Sequence, residues 1–449
     1  MTPSRKAARQ AALGIFLTIA LLTAPACRPQ PPFGYEPLQP VFNLPGVRTE
    51  HYFIYSQMAD ETTYDLALRL EALYQYYARR FADEYFPIDF PKQVFLFNNR
   101  EDYVAAGGHA TMPGLFMGGH DEVGARLMAI AYDTNFGALT MLTCPLLYHE
   151  AFHQFVAVEI SQAGNVNRNW PTWLDEGHGT LFNNLIWTGD GWIDDALTVS
   201  YIYSAAESVP GFIPLQDLIN VSGEGWHQLL AEGRVWPVYM QSMSLLHFLY
   251  YAQDGKHRPL IDAYVRQAST NVNGQAAADL ADKIIAMEPE FLDWFKANML
   301  MPDGSPNLRV TGAKYYEAMT AMATSYLARA HARGQRFTDA QDFLNAAADN
   351  KLRLAPLGDS QWLPDTLRQE MLWWLDQLAQ SHGPIEITLE RSAPSDPPAI
   401  IVSQPAFGLV LKGSFSLDDQ RRVADVNVQF LSCPSVNLTK AEEILSGQE

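Results

Sequence analysis

The sequence predicts an α+β protein on three observations: short β-type runs around an amphipathic helix over its first 130 residues, long apolar helices through its middle, and Val/Ile-rich runs parted by Pro and Asp near its end. Its 449 residues are 48% apolar and 18% charged, enough to build a large core. Against 31 Lys+Arg stand 50 Asp+Glu, a net charge of −19 that repels phosphate backbones and makes nucleic acid a poor partner.

The N-terminus reads as an export signal. Arg5, Lys6 and Arg9 precede an apolar run over residues 11–24, the length of a signal-peptide core and too short to span a bilayer comfortably. It ends in Ala24-Pro25-Ala26-Cys27. Small residues at 24 and 26 suit cleavage after Ala26, giving a signal peptide over 1–26 and a freely secreted protein. Cys27 followed by prolines is similar to a bacterial lipoprotein, with Cys27 as the lipidated residue and a cell-envelope location; this reading is preferred. Residues 27–50, with Pro29, Pro31, Pro32, Pro37, Pro40 and Pro45, read as an extended tether. The other cysteines, Cys144 and Cys433, are left either to pair or to stay as buried thiols.

The elements follow in order. A strand is predicted over 51–55, then a helix over 62–86 from the spacing of Tyr64, Leu68, Leu73, Tyr77 and Phe81. A β run over 93–97 turns at Asn98 and Asn99, and a Gly-rich loop (Gly107, Gly108, Gly114, Gly118, Gly119) leads to a strand over 126–132. A helix over 146–160 has Thr143 or Cys144 as its cap and Pro145 at its first position. Pro171 opens a second helix over 172–186, and further helices fall at 235–252, 257–268 and 276–299. Residues 303–384 form a helical region, with an Ala-rich pair at 313–333 and 337–350 and a last helix at 365–380. Residues 385–449 form a small β-rich region with runs at 385–390, 399–403, 408–414 and 425–431.

The chemistry concentrates in His149-Glu150-Ala151-Phe152-His153. Residues four apart share a helix face, so both imidazoles reach one ion, and Glu150 sits beside them without ligating. Chance gives this pattern in about one chain in a hundred of such composition. Leu146, Leu147, Phe152 and Phe155 bury the helix around a polar stripe, and polar groups so placed require a partner, which a metal supplies.

That pattern is followed by Trp173-Leu174-Asp175-Glu176-Gly177, in which Glu176 lies 23 positions after His153. Together the two resemble the gluzincin zinc metallopeptidases, in particular the peptidase MA-like proteins. The resemblance covers residues 50–300 and implies a thermolysin-like metallopeptidase domain over 51–302, a small mixed sheet plus a helical bundle, with the helical and β regions as C-terminal extensions. It implies Zn2+ held by His149, His153 and Glu176, with Glu150 as general base. The stretch Val238-Tyr239-Met240-Gln241-Ser242 is similar to a helix the family often carries, which makes Tyr239 a candidate oxyanion donor, though among 20 tyrosines a core or surface role is the default. Asp175 is either an orienting partner of an imidazole or an exposed helix-start acid. His178 is a weaker alternative ligand, and His109 and His120 flank the Gly-rich loop where a cleft would lie. The strand over 126–132 resembles the edge along which such enzymes bind an extended peptide.

The expected activity is hydrolysis of a peptide or protein substrate, as an endopeptidase, since the G-x-M-E-N motif of the clan's aminopeptidases is absent. Two other readings stand beside it. One is a non-catalytic envelope lipoprotein that keeps the fold as a binding or assembly module. The other is a metal-dependent hydrolase of a different substrate.

Overall fold

The computed structural model describes residues 36–432 apart from 59, 83–90, 119–124, 131–144, 161–169, 188–191, 271–277, 350, 355–370, 373–374, 377–378, 380–382, 392 and 394–395. The expected signal peptide, Cys27, Cys144, Cys433, His120 and most of the helix over 365–380 lie outside the described residues.

The chain begins with a hairpin, β1 (Glu36–Val41) and β2 (Leu44–Arg48), where a tether over 27–50 was expected. Two features let these proline-bearing residues form strands. Phe42 and Asn43 take positive φ of 52° and 59°, which suits a two-residue hairpin loop. β1 is also the outermost strand of its sheet, so Pro37 and Pro40 can lack an N–H at little cost to the ladder. Phe42 then packs edge-on against Phe95 at 5.3 Å.

The sheet continues with β3 (Tyr52–Ser56), β4 (Lys92–Phe97), β5 (Gly114–Met117) and β6 (Arg126–Ile130), in the order β1-β2-β3-β4-β6-β5. β3, β4 and β6 run parallel, and the hairpin and β5 pair antiparallel at the two margins. Helix α1 (Asp60–Arg80) connects β3 to β4 and buries Leu66, Leu70, Leu73, Tyr74 and Tyr77 at helical spacing. A short helix, α2 (Arg100–Ala105), is capped by Asn99, whose side chain accepts the Asp102 N–H at 2.8 Å.

Onto this sheet packs α3 (Pro145–Phe155), continued by a π-helical turn over Val156–Ile160, with Leu147, Ala151, Phe152 and Phe155 in the core. After α4 (Thr172–Phe182), a two-stranded ribbon of β7 (Ile186–Trp187) and β8 (Trp192–Ile193) replaces the last predicted turn of that helix. The bundle then adds α5 (Val199–Ser208), α6 (Leu215–Ile219), α7 (Gly223–Ala231), α8 (Val235–Tyr251), α9 (Arg258–Thr270), α10 (Ala278–Ala286) and α11 (Glu288–Met299). α8 is buried along nearly its whole length and forms the axis of the bundle. The single helix predicted over 276–299 breaks at Met287, because Pro289 fits only at the start of a new helix.

A second core lies beyond residue 307. α12 (Leu308–Ala332) and α13 (Ala340–Ala348) pack against an antiparallel sheet of β9 (Glu386–Glu390), β10 (Ala399–Gln404), β11 (Leu409–Leu417) and β12 (Val423–Ser432), in the order β12-β11-β10-β9. Tyr315, Met319, Met322 and Tyr326 of α12 meet Ile400, Val402, Leu409 and Leu411, and Ile186 and Ala196 from the ribbon region join them. All described residues therefore belong to one compact unit. Among them no helix is long and apolar enough to cross a membrane.

The approach of α12 to β11 requires glycine at 413. A Cβ there would stand 1.8 Å from the Thr324 hydroxyl, which is itself bonded to the Thr320 carbonyl. Gly413→Ala is expected to lower stability by about 1–3 kcal/mol, read as a fall in urea midpoint at unchanged slope. An unaltered midpoint would show that α12 sits farther from the sheet.

Candidate metal centre

His149 and His153 lie one turn apart on the same face of α3, with ring centroids 4.6 Å apart. α4 brings Glu176 against both: its Oε2 is 3.2 Å from His149 Nε2 and 3.3 Å from His153 Nε2. One atom from each of the three residues falls within 4.8 Å of the others. Asp175 holds the outer face of the pair, its Oδ1 3.1 Å from His153 Nδ1. That contact holds a ring proton at Nδ1 and turns Nε2 to Glu176. Of the two readings of Asp175, the geometry supports the orienting one.

Two glycines make this meeting of helices possible. A Cβ at Gly179 would lie 2.9 Å from the His149 ring, so its absence makes the seat for that imidazole. A Cβ at Gly177 would lie 2.9 Å from Leu246 and 3.0 Å from Ser242 Cβ, so its absence lets α8 press on the opposite side of α4. Gln241, one residue before Ser242, clasps the backbone of Ile213 through both ends of its amide. Gln241 and Ser242 thus serve packing.

His178 is not a ligand. Its Nδ1 donates to the Leu174 carbonyl at 2.7 Å and its Nε2 accepts from the Tyr250 hydroxyl at 2.8 Å, with Phe81, Phe152, Trp170 and Phe182 around it. Two residues along a helix from Glu176, it faces the core instead of the imidazole pair, and burial pushes its pKa down to about 3. His109 is exposed and bonded to Thr111, with no contact to the pair.

The electrostatics of the pair favour a cation. Burial opposes ionisation of Glu176, but His153 and His149 outweigh it and hold the carboxyl far below its ordinary pKa. Burial likewise opposes a charged His153, but Asp175 and Glu176 prevail and raise its pKa well above the usual histidine value. A field that attracts a proton also attracts a metal ion, and two imidazoles with one carboxylate form a donor set suited to zinc with a position left open. The residues fit the metal that the sequence resemblance implies. A second cluster, Glu50, His51 and Glu71, is differently employed. Both Glu71 oxygens accept bonds from Thr49 and His51, and Glu50 is exposed, so the group ties β3 to α1.

Glu150 stands beside the three without joining them. Its Oε2 accepts the backbone N–H of Phe116 in β5 at 2.7 Å. This bond corrects the strand expected to form the substrate edge. β6 is an interior strand, buried at every residue between β4 and β5, and among the described residues the outer edge of the sheet belongs to β5 inside the Gly-rich segment. Gly114 permits the contact, since a Cβ there would lie 2.8 Å from Leu146. Tyr239 of α8 lies beside the pair, its ring 6.3 Å from that of His149 and 5.2 Å from that of Trp226. Burial first, and then the Glu176 and Glu150 carboxylates, raise the pKa of its phenol and keep it a hydrogen-bond donor. Phe116, Trp226 and Gly179 carried no motif; only the glycine, as a small residue one turn past Asp175, hinted at a close approach.

No family model matches the chain, and no curated protein matches it.

Gly179→Val should fill the seat of the His149 ring. Helical circular dichroism is expected to persist while zinc affinity falls at least about tenfold, an imidazole being displaced from the donor set. Unchanged affinity in competition with a chelating dye would show that the ring does not depend on this glycine.

Proposed function

We propose that the chain is a thermolysin-like, gluzincin-type zinc peptidase exported to the cell envelope. The single observation carrying this reading is the position of one Glu176 oxygen between the two Nε2 atoms, with Glu150 held alongside by a strand edge. His149, His153 and Glu176 would hold the ion, and zinc bound there supplies a Lewis acid that acidifies water and polarises a carbonyl. Glu150 acts as the general base, taking a proton from water and delivering it to the leaving amine. The Phe116 N–H fixes one carboxylate oxygen and so orients the other for that transfer. Tyr239, a protonated donor, is placed to bind negative charge developing on the substrate carbonyl. β5 offers the edge for an extended peptide: Pro113 pairs inward with Ile130, so Gly114 and Phe116 turn their backbone groups outward, beside Glu150. The basic, apolar and Cys27 pattern at the N-terminus supports lipid anchoring.

The test is metal content and casein cleavage by wild type and Glu150→Gln. Both proteins are expected to hold stoichiometric zinc, with cleavage in the variant reduced at least about a hundredfold. Zinc in both without cleavage by either would favour a binding module. Equal cleavage by the two would remove Glu150 from the chemistry.

A further inference from the structure

Far along the chain from the candidate metal centre, the C-terminal end of α12 collects positive charge. The His331 carbonyl accepts three donors: the Gly334 N–H at 2.9 Å, Arg336 Nη1 at 3.2 Å and Arg421 Nη2 at 3.4 Å. A carbonyl has two lone pairs, so these donors exceed what the acceptor can satisfy. Arg336 also reaches the Gln335 carbonyl at 2.8 Å, and Arg391 Nη2 donates to the Phe337 carbonyl at 2.9 Å. Burial first, and then the Arg336, Arg421 and Arg391 guanidinium groups, push the pKa of the His331 imidazole down to about 4, so it adds no further charge at neutral pH.

No carboxylate answers them. Among the described residues none of the three arginines is in an ion pair, in a chain with 50 Asp+Glu. The neighbouring acids are committed elsewhere: Glu390 to Lys412, Asp418 to Arg422, Asp339 to the cap of α13, and Asp342 to Thr338. Helix-end carbonyls attract cations, which accounts for one arginine at this place. Three exposed guanidinium groups from three separate segments, gathered at one helix end with no carboxylate between them, offer an anion a set of charged donors in exchange for water.

We propose that Arg336, Arg391 and Arg421 form a binding site for a phosphate group. Each guanidinium presents a planar fork of N–H donors, and a tetrahedral phosphate has oxygens for several such forks at once, which a single carboxylate does not. The group could come from free phosphate or from a phospholipid headgroup, and the chemistry of recognition is the same. The proposal does not rest on the peptidase reading.

The test uses the full chain. Inorganic phosphate is titrated at constant ionic strength against wild type and against Arg391→Gln/Arg421→Gln, followed by calorimetry, with circular dichroism to verify folding. Saturable binding by wild type, weakened at least about tenfold in the double variant, supports the site. Flotation with phosphatidylglycerol and phosphatidylcholine vesicles separates the sources. A loss of phosphatidylglycerol binding in the variant assigns the headgroup, and equal flotation of both proteins assigns free phosphate. If wild type binds neither phosphate nor phosphatidylglycerol vesicles through these residues, the proposal is overturned. Should the double variant fail to fold, the single substitution Arg421→Gln is titrated in its place, and phosphate binding unchanged from wild type overturns the proposal.

Discussion

Everything in the first core converges on one carboxylate oxygen. Glu176 Oε2 lies just over 3 Å from two imidazoles on another helix, and such a meeting requires α3 and α4 to approach more closely than ordinary side chains permit. Gly179 removes the atom that would collide with His149, and Gly177 does the same on the side facing α8. The bundle is in this sense built around α4: α8 presses it from behind, and the sheet supports α3 in front. Two imidazoles and a half-buried carboxylate set this close together would be costly unless they shared a proton or a metal ion.

The far end of α3 is held as firmly as the face that carries His149 and His153. Glu159, in the π-helical turn, forms a fully buried ion pair with Lys92 at the start of β4, and Lys92 lies 4.3 Å from the centre of the Tyr74 ring. Gln154 adds a bond from its amide to the Gln93 carbonyl at 2.8 Å. Both ties run from α3 and its π-helical turn to the same strand, and they fix the height at which His149 and His153 stand above the sheet. A buried pair of this kind contributes more to a defined position than to stability, because desolvation offsets most of its attraction.

The sequence made some of this visible and hid the rest for physical reasons. His149, His153 and Glu150 were legible because four-residue spacing on a helix is a local property, and the orientation of His178 away from Glu176 followed from the same periodicity. Glu176 was reached only through the surrounding Trp-Leu-Asp-Glu-Gly resemblance. The role of Phe116 was not legible, since a backbone N–H has no residue type and the bond depends on which strand ends the sheet. The edge itself was obscured by glycines that read as loop, and the first hairpin by prolines that an outermost strand tolerates. Arg336, Arg391 and Arg421 come from three distant segments, so no window of sequence brings them together.

The central claim is that α3 and α4 together make one metal site. X-ray absorption at the zinc edge, combined with anomalous diffraction from crystals of the purified protein, tests it most directly. One zinc per chain is expected, bonded to His149 Nε2, His153 Nε2 and a Glu176 oxygen, with Glu150 outside the ligand set. A chain that takes up no metal, or holds it without Glu176, would contradict the claim.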